Sequence, residues 1–226
     1  MKTLILGDSF TDTWSNNWHG ILFDDYDIYA KGGVDNSWIS RTGIHLLSER
    51  TYDNVFVMFT GINRTSIPLP TDTIPEDYYF NFPITQYRNG LHLIQSGGSC
   101  GTWDESKTLD KSIKDIFKKQ YSSDNLEFFT HLSMYDVIAF LSFLEARNIK
   151  HKYTFIYDVF KKGDRNEHCL GVCRNLDYWE LLNKQNYIPL PPYQYGRDND
   201  CLDEDGFHLT KDGQSKWAKE VKKYLT

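Results

Sequence analysis

The chain predicts a parallel α/β sheet with helices packed on both of its faces, and three observations lead there. Short, continuous apolar runs recur, as buried parallel strands require. They alternate with stretches of helical periodicity, the order that builds right-handed strand–helix–strand crossovers. Three successive runs end in turns of glycine and small polar residues, and a parallel sheet would set those ends along one edge.

The first run, Leu4, Ile5 and Leu6, stops abruptly at Gly7, Asp8 and Ser9. A strand there delivers a hydroxyl to the end of the sheet, where ligands of open α/β folds bind. A helix is expected over 11–23, opened by Thr11 or Asp12, with its N-terminus turned toward Ser9. Residues 26–30 form the second strand and end at Lys31, Gly32, Gly33, Val34, Asp35 and Asn36. A glycine pair at a strand end lets backbone approach a ligand closely. An amphipathic helix follows over 38–47, interrupted by Gly43, and 54–59 is the third strand, ending at Thr60, Gly61, Ile62 and Asn63.

From about 65 to 103 the periodicity breaks down around Pro68, Pro70, Pro75 and Pro83. Such a long excursion is expected to be irregular and to shape the mouth of a site, with Tyr78, Tyr79, Phe80 and Phe82 as wall residues. Helices are expected over about 104–119 and 124–148, the second packing Leu132, Tyr135, Ile138, Ala139, Ser142 and Phe143 inward, with His131 structural. Residues 153–157 are the fourth strand. A second irregular stretch, 158–204, contains Pro189, Pro191 and Pro192, and a fifth strand is absent or hidden there. The last helix covers about 210–225, capped by Thr210 or Asp212, with Trp217 and Val221 inward. Both excursions read as insertions into one domain spanning 1–226, with no internal repeat or low-complexity tract.

Asp205 and His208 stand just before that last helix. On a turn, their spacing lets the carboxylate reach one imidazole nitrogen and leaves the other to take a proton from Ser9. Each group also has a plain reading. Gly-Asp-Ser can simply begin a helix, and Asp and His are ordinary turn residues. Their placement after the first strand and before the last helix favours the chemical one.

Four segments, GDSF at 7–10, KGGVDN at 31–36, GIN at 61–63 and DGFH at 205–208, resemble in order the four blocks of the SGNH (GDSL-type) hydrolases. The resemblance implies a three-layer α/β/α, flavodoxin-like fold, here with two long loop insertions, and a serine esterase that needs no cofactor. It implies Ser9 as nucleophile, His208 as base and Asp205 as the orienting carboxylate. The implied oxyanion donors are the Ser9 N–H, a backbone N–H of the second block, assigned to Gly33 with Gly32 and Asn36 as alternatives, and the Asn63 side chain. The third block departs from the family's GxND, because Arg64 stands where the aspartate is expected. Arg64 reads as a loop-pinning surface cation or as a guanidinium facing an anionic substrate group. Asp8 and Arg64 are the candidate substrate contacts. The chain is also similar overall to hydrolase-like chains of large tailed phages, which implies a host cytoplasm or a virion as its setting.

A length of 226 residues suits one α/β domain, and a net charge of −6 with a pI near 5.6 argues against a nucleic-acid partner. No apolar run is long enough to span a bilayer, and no leader precedes the first strand, so a cytoplasmic protein is expected. A secreted chain with its leader trimmed would read the same. Cys100, Cys169, Cys173 and Cys201 are too scattered for a disulfide scaffold. His168 with Cys169, Cys173 and Cys201 lacks a common zinc spacing, so no metal is expected. Trp14, Trp18, Trp38 and Trp103 offer faces for sugar or acyl groups, though buried aromatics are usually core. The expected partner is a small-molecule or glycan ester, with a short acyl group such as O-acetyl. Two other readings compete: an acyltransferase with the same triad, and a non-catalytic virion or carbohydrate-binding module.

Overall fold

The first strand is the one around which the fold is built. β1 (Lys2–Gly7) lies between β2 (Asp25–Ala30) and β3 (Asn54–Phe59), and β7 (Lys150–Phe155) completes a parallel sheet in the order β2-β1-β3-β7. The computed structural model describes residues 1–12, 17–32, 34–62, 66–70, 85–86, 91–95, 123–160 and 178–225. The chain passes from β1 to β2 on one side and then to β3 on the other. That reversal opens a crevice beyond the carboxyl ends of β1 and β3.

Both side-chain parities of the inner strands are apolar, because both faces of the sheet are covered. Leu4, Leu6, Val55, Val57 and Phe59 pack on one face with Trp38, Ile39 and Leu46 of α2 (Asn36–Glu49) and Met134, Val137, Phe140 and Leu144 of α3 (Ser123–Ala146). Ile5, Phe56 and Met58 point the other way, against Trp18, Leu22 of α1 (His19–Leu22), and Trp217, Ala218 and Val221 of the C-terminal helix (Lys211–Lys222). Each of these buried aliphatic side chains contributes roughly 1.5–3 kcal/mol relative to exposure. The result is three layers, helix on sheet on helix.

Several expectations need correction. Of the helix expected over 11–23, the described residues contain α1, which begins at His19; Thr11 and Asp12 lie in the turn after Ser9 and do not open a helix, and 13–16 lie outside the described residues. α2 is uninterrupted at Gly43. A Cβ there would stand 2.3 Å from Phe140 and 2.7 Å from Leu6, so the glycine is where α2 presses against both α3 and β1. The inward face of α3 is not the expected one. Thr130, Met134, Val137, Phe140, Leu141 and Leu144 are buried, while Leu132 and Tyr135 are exposed. The fourth strand begins at Lys150 instead of Tyr153.

The first excursion is not wholly irregular. β4 (Ser66–Pro70), β5 (Thr85–Gln86) and β6 (Leu91–Gln95) form an antiparallel sheet in the order β4-β6-β5. Pro68 and Pro70 fall on β4, an edge strand, where a missing N–H is tolerated. The expected wall residues Tyr78, Tyr79, Phe80 and Phe82 and the helix over 104–119 lie outside the described residues. In the second excursion, α4 (Tyr178–Leu181) and α5 (Pro192–Asp198) are described. The hidden fifth strand is a vestige: Tyr187 makes a parallel bridge to Tyr153, with Tyr153 N–H donating to Asn186 O (3.0 Å) and Ile188 N–H to Tyr153 O (2.8 Å). The C-terminal helix, α6 (Lys211–Lys222), is capped by Thr210, whose hydroxyl accepts from Gly213 N–H at 3.1 Å.

No helix among the described residues is long and apolar enough to cross a membrane.

Candidate active site

Ser9 lies two residues past the end of β1, on a turn closed by Thr11 N–H and Asp12 N–H, both donating to Asp8 O at 2.9 Å. His208 comes from the other end of the chain. Its Nε2 lies 3.0 Å from Ser9 Oγ, and its Nδ1 lies 2.5 Å from Asp205 Oδ2. With Nδ1–H donating to the carboxylate, Nε2 presents its lone pair to the Ser9 hydroxyl. The structure thus brings together the three residues that the two ends of the sequence suggest.

The 205–208 turn is held by its own backbone. Asp205 Oδ1 accepts from Phe207 N–H (2.8 Å) and His208 N–H (2.9 Å), while Gly206 N–H donates to Asp203 O at 2.8 Å. Gly206 has φ +67°, the left-handed conformation that this tight reversal requires and that glycine adopts without strain. Burial disfavours the charged form of Asp205, but the bonds from the imidazole and the two N–H groups outweigh it. Its carboxyl therefore titrates below the ordinary value.

Aromatic packing seats this exposed turn on the sheet edge. Phe207 meets Phe10 edge-on at 5.0 Å between ring centroids, with Tyr157 and Tyr193 each at 5.5 Å. The His208 ring lies 4.7 Å from Phe10 and 5.2 Å from Phe207. Tyr157 follows the end of β7, so the fourth strand end also reaches the site.

The remaining expected residues divide. Asp8 was expected to face substrate, and its placement corrects this. It is fully buried, with Oδ1 accepting from Phe10 N–H (3.1 Å) and Oδ2 from the Thr60 hydroxyl (2.7 Å). Gly33, Asn63 and Arg64 lie outside the described residues. Gly32 lies against Ser9: a Cβ added there would be 3.6 Å from Ser9 Cβ. Asn36 is buried and turned inward. Its Oδ1 accepts from Thr60 N–H (2.9 Å), and its Nδ2 donates to Thr60 O (3.2 Å) and Ser133 Oγ (2.9 Å).

Sequence reasoning missed Thr60, Phe207 and the aromatic ring cluster. Thr60 carries the faint signal of a polar residue ending an apolar strand, and Phe207 sits inside the DGFH block itself. It also missed His19, buried beneath the turn with Nε2–H donating to Thr11 O at 2.7 Å. Burial pushes the His19 imidazole down to about 4, against the opposing effects of the Thr11 carbonyl and Asp12.

Among the described residues no group of three or more His, Cys, Asp or Glu is arranged to hold a metal. Of the suggested zinc set, only Cys201 is described, buried and outside any disulfide. A cavity of about 770 Å³ lies among strand starts, lined by Thr3, Asn54, Lys150 and His151 among others, and contains none of Ser9, Asp205 or His208. The candidate site is therefore set by its chemistry and not by the size of a void.

No protein-family model matches the chain, and no curated protein sequence matches it. Solved structures do. The psychrotrophic esterase EstA from Pseudoalteromonas sp. superposes with a TM-score of 0.54 at 10% identity, covering 99% of this chain and 96% of that one. A lipolytic G-D-S-L family protein from Desulfitobacterium hafniense gives 0.52 at 11% identity, covering 99% of each chain. A lipase from a goat rumen metagenome gives 0.51 at 13% identity, over 99% and 97%. At such identities the likeness is one of fold, and the chain has the three-layer α/β/α fold of these hydrolases.

Proposed function

We propose that this chain, which shares the fold of the G-D-S-L hydrolases, is a serine ester hydrolase. The observation that carries the reading is the continuous run from Asp205 Oδ2 through the imidazole to Ser9 Oγ, at 2.5 and 3.0 Å. Three groups in that order are what acyl transfer to a hydroxyl requires.

Ser9 Oγ attacks the ester carbonyl while His208 Nε2 takes its proton, and Asp205 steadies the imidazolium that forms. The carbonyl electrons move onto oxygen, where the Ser9 N–H and a second-block N–H donate to it. Collapse of this intermediate expels the alcohol, which receives the proton from His208, and leaves an acyl group on Ser9. Water then attacks the acyl carbonyl, giving its proton to His208. The second collapse frees the acid and restores the hydroxyl.

The half-buried ring of Phe207 beside His208, with the half-buried rings of Tyr157 and Tyr193 packed on it, forms an aromatic surface on which a sugar can stack, which supports a short acyl ester on a carbohydrate. Transfer to an acceptor hydroxyl in place of water would use the same residues, and product analysis with sugar acceptors separates the two. The protein is expected to hydrolyse p-nitrophenyl acetate and to take a fluorophosphonate label at Ser9. Ser9→Ala should lose both by a factor of roughly 10³ or more. Equal turnover in the two proteins removes the nucleophile, and a folded wild type that neither turns over nor labels points to a binding module. Release of acetate from acetylated glycans in preference to longer acyl esters checks the substrate class.

A further inference from the structure

The turn after β1, the end of β3 and the start of α2 are joined by one buried network with Thr60 at its centre. We infer that Thr60 is a positioning residue of the nucleophile, acting on Ser9 through Asp8. This rests on the ester-hydrolase reading, which supplies the reaction that the positioning serves.

Thr60 is fully buried, as are Asp8 and Asn36. Its hydroxyl donates to Asp8 Oδ2 at 2.7 Å, and the other oxygen of that carboxylate takes Phe10 N–H at 3.1 Å. Phe10 N–H belongs to the peptide unit that follows Ser9, so the Asp8 side chain governs how the nucleophile's backbone is turned. A hydrogen bond to a buried carboxylate is charge-assisted and stronger than a neutral one. Thr60 is itself held at both backbone groups by the Asn36 amide, at 2.9 and 3.2 Å, and that amide is tied in turn to Ser133 on α3. The carboxylate's orientation is therefore referred to the end of β3, to α2 and to α3, and the burial of Thr60 and Asp8 keeps water from replacing the hydroxyl.

Thr60→Val keeps the shape and removes the hydroxyl, so the carboxylate loses a partner it cannot replace from solvent. Asp8 then turns, and the Ser9–Phe10 peptide follows. A displacement on the order of 1 Å at a reacting atom costs about 100-fold in rate. Thr60→Ser restores the donor at the same position.

The test compares wild type, Thr60→Val and Thr60→Ser by kcat and KM on p-nitrophenyl acetate, by thermal midpoint, and by hydrogen exchange of the Phe10 amide. Expected for Thr60→Val is a loss of about 10- to 100-fold in kcat with KM within about 3-fold, faster Phe10 exchange, and recovery of both in Thr60→Ser. A Thr60→Val protein that melts earlier yet keeps wild-type kcat and Phe10 protection overturns the inference, leaving Thr60 a packing residue only. Should the wild type fail on every ester, the hydrolase reading falls by itself. The exchange measurement, which needs no substrate, then decides alone whether Thr60 holds the turn.

Discussion

Asp205 is about half exposed, yet both of its oxygens are committed: one to the imidazole, the other to two backbone N–H groups. In the proposed mechanism its role is to set a tautomer, and that makes a sharp test. In Asp205→Asn an amide can stand opposite Nδ1 and favour the tautomer with the proton on Nε2, where it can no longer accept from Ser9. The kcat on p-nitrophenyl acetate should fall by roughly 10²–10⁴, with KM and melting temperature nearly unchanged. A loss below about 3-fold would show that the carboxylate does not serve the imidazole. Ser9, Asp205 and His208 were legible because their residue types sit in turns, next to a strand and a helix that periodicity defines. Asp8 and Asn36 were legible as positions but not as roles. Whether a buried polar side chain faces a ligand or a neighbouring strand depends on what the other strands place beside it.

Elements follow the same division. The strands of the parallel sheet were visible as apolar runs, since burial on both faces leaves no alternation to blur them. The start of β7 was missed because Lys150, His151 and Lys152 extend it with polar residues that pair with Asn54, Val55 and Phe56. On α3, apolar residues occupy more of the circumference than one packed face needs, so spacing alone could not say which face turns inward. Gly43 looked like an interruption and is a contact. Gly43→Ala adds a methyl where Phe140 and Leu6 already stand at 2.3 and 2.7 Å, and alanine's better helix propensity cannot offset that crowding. The variant should be less stable by about 1–3 kcal/mol in urea unfolding. An unchanged or raised stability would mean that α2 and α3 can separate without cost.

At the scale of the whole molecule, the two ends of the chain meet on one face of the sheet. Trp217 of α6 lies edge-on to Trp18 at 5.3 Å, and Gln214 accepts from Asn17 N–H at 3.0 Å. His19 lies in the same layer, buried and neutral, with its imidazole pushed down to about 4. The unfolded chain takes up its proton near the ordinary value of about 6.5. Its contribution is therefore present above about pH 6.5 and is lost as the pH falls through about 4, up to about 3 kcal/mol at roughly 1.4 kcal/mol per unit. Melting temperatures between pH 7 and pH 4 should fall less steeply in His19→Gln than in wild type, and parallel curves would assign the acid sensitivity elsewhere. The sequence by itself determined the class of fold, the order of its parallel strands along the chain and the three residues proposed as nucleophile, base and orienting acid, because apolar periodicity and turn chemistry are local. The tertiary structure alone decided that Ser9 and His208, 199 positions apart, come within 3.0 Å, and that Thr60, Asn36 and Asp8 join in one buried hydrogen-bonded network. Those facts depend on which strands become neighbours and which faces they bury, and no stretch of chain carries that information until the sheet has closed around it.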